Sequence, residues 1–165
     1  MSLLQVERNG GVVVITLNDP ERRNILSGAL SIELRDAVTA ANSDPEAKAI
    51  LITGAGKAFC AGAHLGDLEA TAAGDTVAIS HVYASFMALA DSPLPTLAAV
   101  NGPAVGAGLN LALACDFRIA SAAAVFDTRF LKLGIHPGGG CTWMLLRAVG
   151  WAQASRMLQI GRAHV

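Results

Sequence analysis

The spacing of apolar positions changes several times along the chain, and each change marks an element. Leu3 to Arg8 and Val12 to Asn18 are rich in apolar and β-branched residues on either side of Asn9-Gly10-Gly11, which predicts a β-hairpin. From Gly28 to Asn42 the period lengthens. Leu30, Leu34, Ala37, Val38 and Ala41 share one helical face, Ser27 stands at the N-cap, and Asp44-Pro45 ends the helix. Ala49 to Thr53 is a short apolar run of the buried-strand kind. Gly66 to Gly74 reads as a small, acidic, Ala-rich mobile loop lining a cleft. Thr76 to Ala90 predicts a helix with Val77, Val82, Phe86 and Leu89 mostly on one side and His81 exposed; Ser92-Pro93-Leu94-Pro95 breaks it. A strand over Thr96 to Val100, a helix over Gly106 to Ala114 and a strand over Phe117 to Ala120 follow. Two last helices, Thr142 to Val149 and Trp151 to Leu158, are separated by Gly150. This alternation implies an α/β fold in which helices cover a mainly parallel sheet, and no repeat, linker or charge block marks a second domain.

Composition narrows the function classes. With 165 residues and 53% hydrophobic content, the chain is long enough to bury one real core. Its 12 Lys and Arg against 13 Asp and Glu leave no electrostatic case for nucleic acid or an acidic membrane surface. Cys60, Cys115 and Cys141 are odd in number and lack CxxC spacing, so reduced, buried thiols of a cytosolic protein are expected rather than disulfides. His64, His81, His136 and His164 form no HxxxH or HxH pair, so no metal is assigned. The sequence lacks a basic region followed by an apolar one and any apolar run of membrane-spanning length, which makes the cytoplasm the expected location.

Two segments carry the candidate chemistry: Phe59-Cys60-Ala61-Gly62-Ala63-His64-Leu65, and Val100-Asn101-Gly102-Pro103-Ala104-Val105-Gly106-Ala107-Gly108-Leu109-Asn110. Each reads as a strand running into small residues and then a helix. Small residues allow close approach to backbone N–H groups, and a helix N-terminus adds partial positive charge. Two such junctions suit an oxyanion hole. Two tight turns that merely pack closely fit the same spacing.

The wording of these segments adds to that picture. Gly56-Lys57-Ala58-Phe59-Cys60-Ala61-Gly62-Ala63, and Pro95 through Gly108 followed by Ala114-Cys115-Asp116, resemble two signatures of the crotonase (enoyl-CoA hydratase/isomerase) superfamily. Asn18-Asp19-Pro20-Glu21-Arg22-Arg23-Asn24 is similar to its opening turn, and Phe126 with Leu133-Gly134-Ile135-His136-Pro137-Gly138 to its third block. The resemblance implies a ββα superhelical spiral, here the N-terminal core only. It also implies an acyl-CoA or enoyl-CoA substrate and an oxyanion hole from the backbone N–H groups of Ala63 and Ala107. Ala61, Gly62, His64, Leu65, Gly106 and Gly108 would then bind CoA or substrate. Arg22, Arg23 and Lys57 are candidates for the phosphates, or plain solvated charges. Coenzyme A would enter as part of the substrate, with no separate cofactor, and the full-length protein would form a homotrimer or a dimer of trimers. The same resemblance marks residues 1–159 as the acyl-CoA-binding domain, incomplete. Residues 160–165 read as a non-native tail, because they match a translated sequencing adapter.

The departures from the family pattern lie at the proton-handling positions. Hydratases of the family use two Glu, and the matching positions here are Asn110 and Phe130, neither of which titrates near neutral pH. Candidate stand-ins are His136, Asp127 and His64, with Asp67 just beyond. Three readings follow: an acyl-CoA hydratase, isomerase or related lyase with a shifted acid and base; a non-catalytic acyl-CoA binder; and hydrolase or dehalogenase chemistry. The last expects an Asp where Pro137-Gly138 stands.

Overall fold

A computed structural model of the chain describes residues 2–161. Alternation of side chains in Val12–Leu17 (β2) buries Val13, Ile15 and Leu17 on one face. The preceding strand, Leu4–Asn9 (β1), runs antiparallel to it across the Gly10-Gly11 turn, with Asn9 opposite Val12. Of β1 only Leu4 is buried, as suits an edge strand. On the other side β2 pairs parallel with Ala49–Gly54 (β3), and β3 with Thr96–Val100 (β4). The two-residue strand Ala104–Val105 is β5. Phe117–Ala120 (β6) pairs parallel with β4 and closes a five-stranded sheet of order β1-β2-β3-β4-β6.

Helix Gly28–Ser43 (α1) begins where the Ser27 hydroxyl accepts the Leu30 N–H at 3.3 Å, and it packs against helix Val77–Ala90 (α3) over the sheet. Leu30, Leu34 and Val38 meet Val82, Phe86 and Leu89 in one core cluster with Ile15, Ile50 and Ile52. Each such fully buried side chain stabilises the fold by about 1.5–3 kcal/mol.

Three expectations are corrected. The segment read as a loop contains the helix Leu65–Ala72 (α2), because Leu68, Glu69, Ala70 and Ala72 favour helix and Asp67 sits in its first turn. Gly74, at φ 99°, follows only after that helix has ended. Val77 is exposed, and Ile79 takes the buried position. His81 is half-buried.

Cys141–Gln159 (α5) is helical on both sides of Gly150, whose φ of 73° and ψ of 172° break it into the two helices expected. Helix Ala107–Ala114 (α4) lies between β5 and β6. Of the segment 160–165, only Ile160 and Gly161 fall among the described residues; the rest of that proposed tail, with His164, lies outside them.

The element that positions the site is a second, smaller parallel layer. β5 pairs with Phe126–Asp127 (β7), and single bridges join Cys60 to Ala104 and Leu26 to Ala63. Four chain segments thus lie side by side beyond the ends of the main sheet.

Candidate active site

The loop entering the first junction is held by two asparagines. Asn24, fully buried at φ 56°, donates from Nδ2 to the carbonyls of Ala55 (3.0 Å), Ala58 (2.9 Å) and Phe59 (3.2 Å), while its Oδ1 accepts the Asp19 N–H at 2.9 Å. From the opposite side, Asn101 accepts the Gly54 N–H at 3.2 Å and donates to the Gly56 carbonyl at 3.1 Å. Residues 54–59 therefore have little freedom. The chain beyond them is tied sideways: the Ala61 N–H donates to the Arg23 carbonyl (3.0 Å), and the Leu26 N–H to the Gly62 carbonyl (2.8 Å).

The second junction is pressed against the first. Val105 donates its N–H to the Cys60 carbonyl at 3.0 Å, and Gly106 donates to the Asp127 carbonyl at 2.8 Å. Close approach explains two glycines. A Cβ on Gly62, whose φ is 107°, would lie 2.9 Å from the Val105 carbonyl oxygen and 3.8 Å from the Ala107 nitrogen. One on Gly108 would collide with the Cys60 carbonyl. Removing the side chains brings the two backbone segments into contact.

Ala63 and Ala107 both line one cavity of about 760 Å³. Ala107 is the first residue of α4, so its N–H has no intrahelical acceptor. Among the described residues neither the Ala63 nor the Ala107 N–H has a hydrogen-bond partner. The arrangement thus puts two backbone donors without protein partners on the wall of one cavity.

The remaining candidates divide. Ala61, Gly62, His64, Leu65, Gly106, Asn110, Phe130 and His136 share the cavity wall, whereas Gly108 packs on Cys60 instead. Asp127 is outside the wall. Its carboxylate is buried, 3.0 Å from the Arg129 guanidinium and 3.4 Å from the Lys132 ammonium, and it accepts the Arg129 N–H at 2.8 Å. It braces the second junction and is already engaged by two cations. His64 sits at the N-cap of α2 with Nδ1 3.5 Å from Asp67 Oδ1, half-exposed, and His136 is exposed at the cavity rim.

Among the described residues no Asp or Glu lines the cavity, while Arg23 and Arg129 do. Arg129 is held by Asp127 at 3.0 Å, and Arg22, off the wall, by Asp19 at 2.8 Å; among the described residues Arg23 has no ion pair. Most of the other wall is apolar, from Ile25, Leu68, Ile79, Leu133 and Ile135. Burial pushes all three thiols, Cys60, Cys115 and Cys141, up to about 12, so none is a nucleophile near neutral pH.

Sequence reasoning passed over Tyr83, which also lines the cavity. It stands four residues after Ile79 on α3, and that i, i+4 spacing was the signal available. The asparagine clamps were also missed as clamps, since their partners are remote in sequence.

A mixed α/β sheet with a side layer thus carries two backbone N–H donors, Ala63 and Ala107, on the wall of one largely apolar cavity. The family model described as Enoyl-CoA hydratase/isomerase matches residues 7–164, and the chain belongs to that family. It is 55% identical over 161 residues to a Mycobacterium tuberculosis protein described as "Probable enoyl-CoA hydratase", covering 96% of this chain and 62% of that one. It is 37% identical over 156 residues to the 1,2-epoxyphenylacetyl-CoA isomerase of Escherichia coli, covering 92% and 60%. The crystal structure of an enoyl-CoA hydratase from a Polaromonas species superposes with a TM-score of 0.89 at 35% identity, over 98% of this chain and 64% of that one. The chain thus spans under two thirds of the length of these relatives. The fold is the crotonase-like spiral expected.

Proposed function

We propose that the protein processes acyl-CoA thioesters, holding the thioester oxygen between the N–H groups of Ala63 and Ala107 as an enolate forms. The observation that carries this reading is the pair of unpartnered backbone donors on one cavity wall. As the α-carbon loses a proton or the β-carbon gains a nucleophile, negative charge moves onto that oxygen. Fixed donors stabilise the charge without reorganising, and each is worth roughly 10²–10³ in rate. Arg23 on the wall, without an ion pair among the described residues, favours an anionic ligand, and Ala61, Gly62, His64 and Leu65 supply the edge along which CoA lies. Proton transfer falls to His136, which lines the cavity and whose imidazole has one nitrogen to accept a proton and one to donate. The relatives' described activities support hydratase or isomerase chemistry. A cytoplasmic homotrimer or dimer of trimers is the setting proposed for it.

One observation favours a second reading, a non-catalytic acyl-CoA binder: the cavity wall holds Asn110 and Phe130 but no carboxylate among the described residues. The deciding experiment follows the conjugated enoyl-thioester absorbance across short to long 2-enoyl-CoAs. Loss of absorbance that disappears in His136→Ala establishes turnover and its proton carrier. A folded protein that binds acyl-CoA without consuming any of the panel supports the binder.

A further inference from the structure

The 3₁₀ turn Phe130–Leu133 supplies Phe130 and Leu133 to the cavity wall, yet none of its four residues is buried. Apolar packing of its own side chains therefore does little to fix where that wall stands. Polar bonds at its entry do so instead. Thr128, 1% exposed, donates its hydroxyl to the Met157 carbonyl at 2.8 Å and so ties the entry to α5. Asp127 holds the rest. Its Oδ1 accepts the Arg129 N–H at 2.8 Å, and its Oδ2 lies 3.0 Å from Arg129 Nη2 and 3.4 Å from Lys132 Nζ.

The carboxylate is the buried member of this cluster, with its side chain 4% exposed against 44% for Arg129 and 46% for Lys132. A buried charge is strongly disfavoured without partners, so the two cations stay with Asp127 and the turn follows them. The backbone carries the same constraint. Arg129 has φ 62°, a left-handed conformation that side chains rarely adopt, and it holds that conformation where its N–H meets Oδ1.

Asp127 also reaches the other half of the site, through its main chain. Its carbonyl accepts the Gly106 N–H at 2.8 Å, one residue before Ala107, and a Cβ on Gly106 would lie 3.8 Å from the Thr128 carbonyl oxygen. One residue thus bonds by its carbonyl to the segment that delivers the Ala107 N–H, and by its carboxylate to the turn that delivers Phe130 and Leu133. The separation of donor and apolar wall is set through it.

We infer that Asp127 is a positioning residue that sets how long an acyl chain the cavity accepts, by holding the Phe130–Leu133 turn at a fixed distance from the Ala107 N–H. This rests on the acyl-CoA reading above. Each methylene that finds apolar room tightens binding by roughly fourfold, so affinity climbs with chain length until the chain meets the turn. Dissociation constants measured by calorimetry for butanoyl-, hexanoyl-, octanoyl- and decanoyl-CoA locate that limit in the wild type and in Asp127→Asn. Asparagine keeps the volume and the acceptor for the Arg129 N–H but loses the charge that holds both cations. Wild-type affinity should stop climbing before decanoyl-CoA. In Asp127→Asn the climb should extend, raising affinity for decanoyl-CoA relative to butanoyl-CoA by at least roughly threefold. Structural damage alone weakens all four alike and leaves that ratio unmoved. Arg129→Gln combined with Lys132→Gln removes the same ion pairs at exposed positions, so it decides the matter if Asp127→Asn does not fold. Wild-type affinity that climbs through decanoyl-CoA, or a smaller rise of the ratio in the folded variant, overturns the role of Asp127 alone. Binding of no thioester at all by the folded wild type overturns the acyl-CoA reading and the role of Asp127 with it.

Discussion

At the scale of single residues, the sharpest consequences lie at Ala107 and the buried thiols. Ala107 is nearly buried where the donor pair meets the cavity. Ala107→Val leaves its N–H in place but fills the space beside it, so affinity for butanoyl-CoA should fall at least roughly tenfold, read by calorimetry. Unchanged affinity would end the assignment of this corner to the thioester. The thiols set a pH dependence. Burial raises each from its ordinary 9.0 to about 12. Above pH 9 the unfolded chain releases these protons while the folded chain keeps them. Stability is therefore fully present below 9 and is lost as pH climbs towards 12. Urea midpoints should fall between pH 8.5 and about 10.5, and Cys115→Ala should flatten that slope relative to the wild type.

At the scale of elements, what was legible in the sequence is what local chemistry decides. The hairpin follows from Gly10-Gly11 between β-branched runs, the start of α1 from the Ser27 hydroxyl, and the break in α5 from Gly150. α2 escaped because Gly66 within it and Gly74 beyond its end read as loop markers, although Leu68, Glu69, Ala70 and Ala72 favour helix. The work of Asn24 escaped for another reason. Its acceptors lie 31 to 35 residues away, and no local pattern carries that pairing. Asp127 read as a free carboxylate because its ion pair with Lys132 spans a 3₁₀ turn, Phe130–Leu133, that its neighbours do not announce. Asn24 thus ties the opening turn to the loop before the donor pair. Asn24→Ala removes a donor from the buried bonds to the Ala58 and Phe59 carbonyls and from the part-buried bond to Ala55, and should lower unfolding free energy by about 2–4 kcal/mol in urea titrations. Butanoyl-CoA affinity should fall with it even at temperatures where the variant remains folded. Loss of stability with unaltered affinity would show that the loop keeps its shape without the clamp.

For the whole molecule, the two halves of the site draw on different kinds of group. The donor pair is main chain, at Ala63 on a bridged segment and at Ala107 where α4 begins, whereas Asn110 and Phe130 contribute side chains from one turn further along α4 and from the 3₁₀ turn. Refitting the second half should leave the first intact. The combined variant Asn110→Glu with Phe130→Glu should create or raise hydration of 2-butenoyl-CoA by a factor of roughly 10²–10⁴, measured as loss of enoyl absorbance. No gain in a folded double variant would mean that the cavity aims its ligand away from these positions.

The main-chain origin of the donor pair has an evolutionary corollary. A donor pair built from peptide groups has no codon of its own, so single-base changes reach it only through its surroundings, by adding bulk at Ala107 or by distorting Gly62, Gly108 or the asparagine clamps. A general acid or base occupies one codon and can be erased in one step. Drift in such a lineage therefore strips proton transfer first and preserves the grip on the carbonyl, leaving a scaffold on which new chemistry is one substitution away.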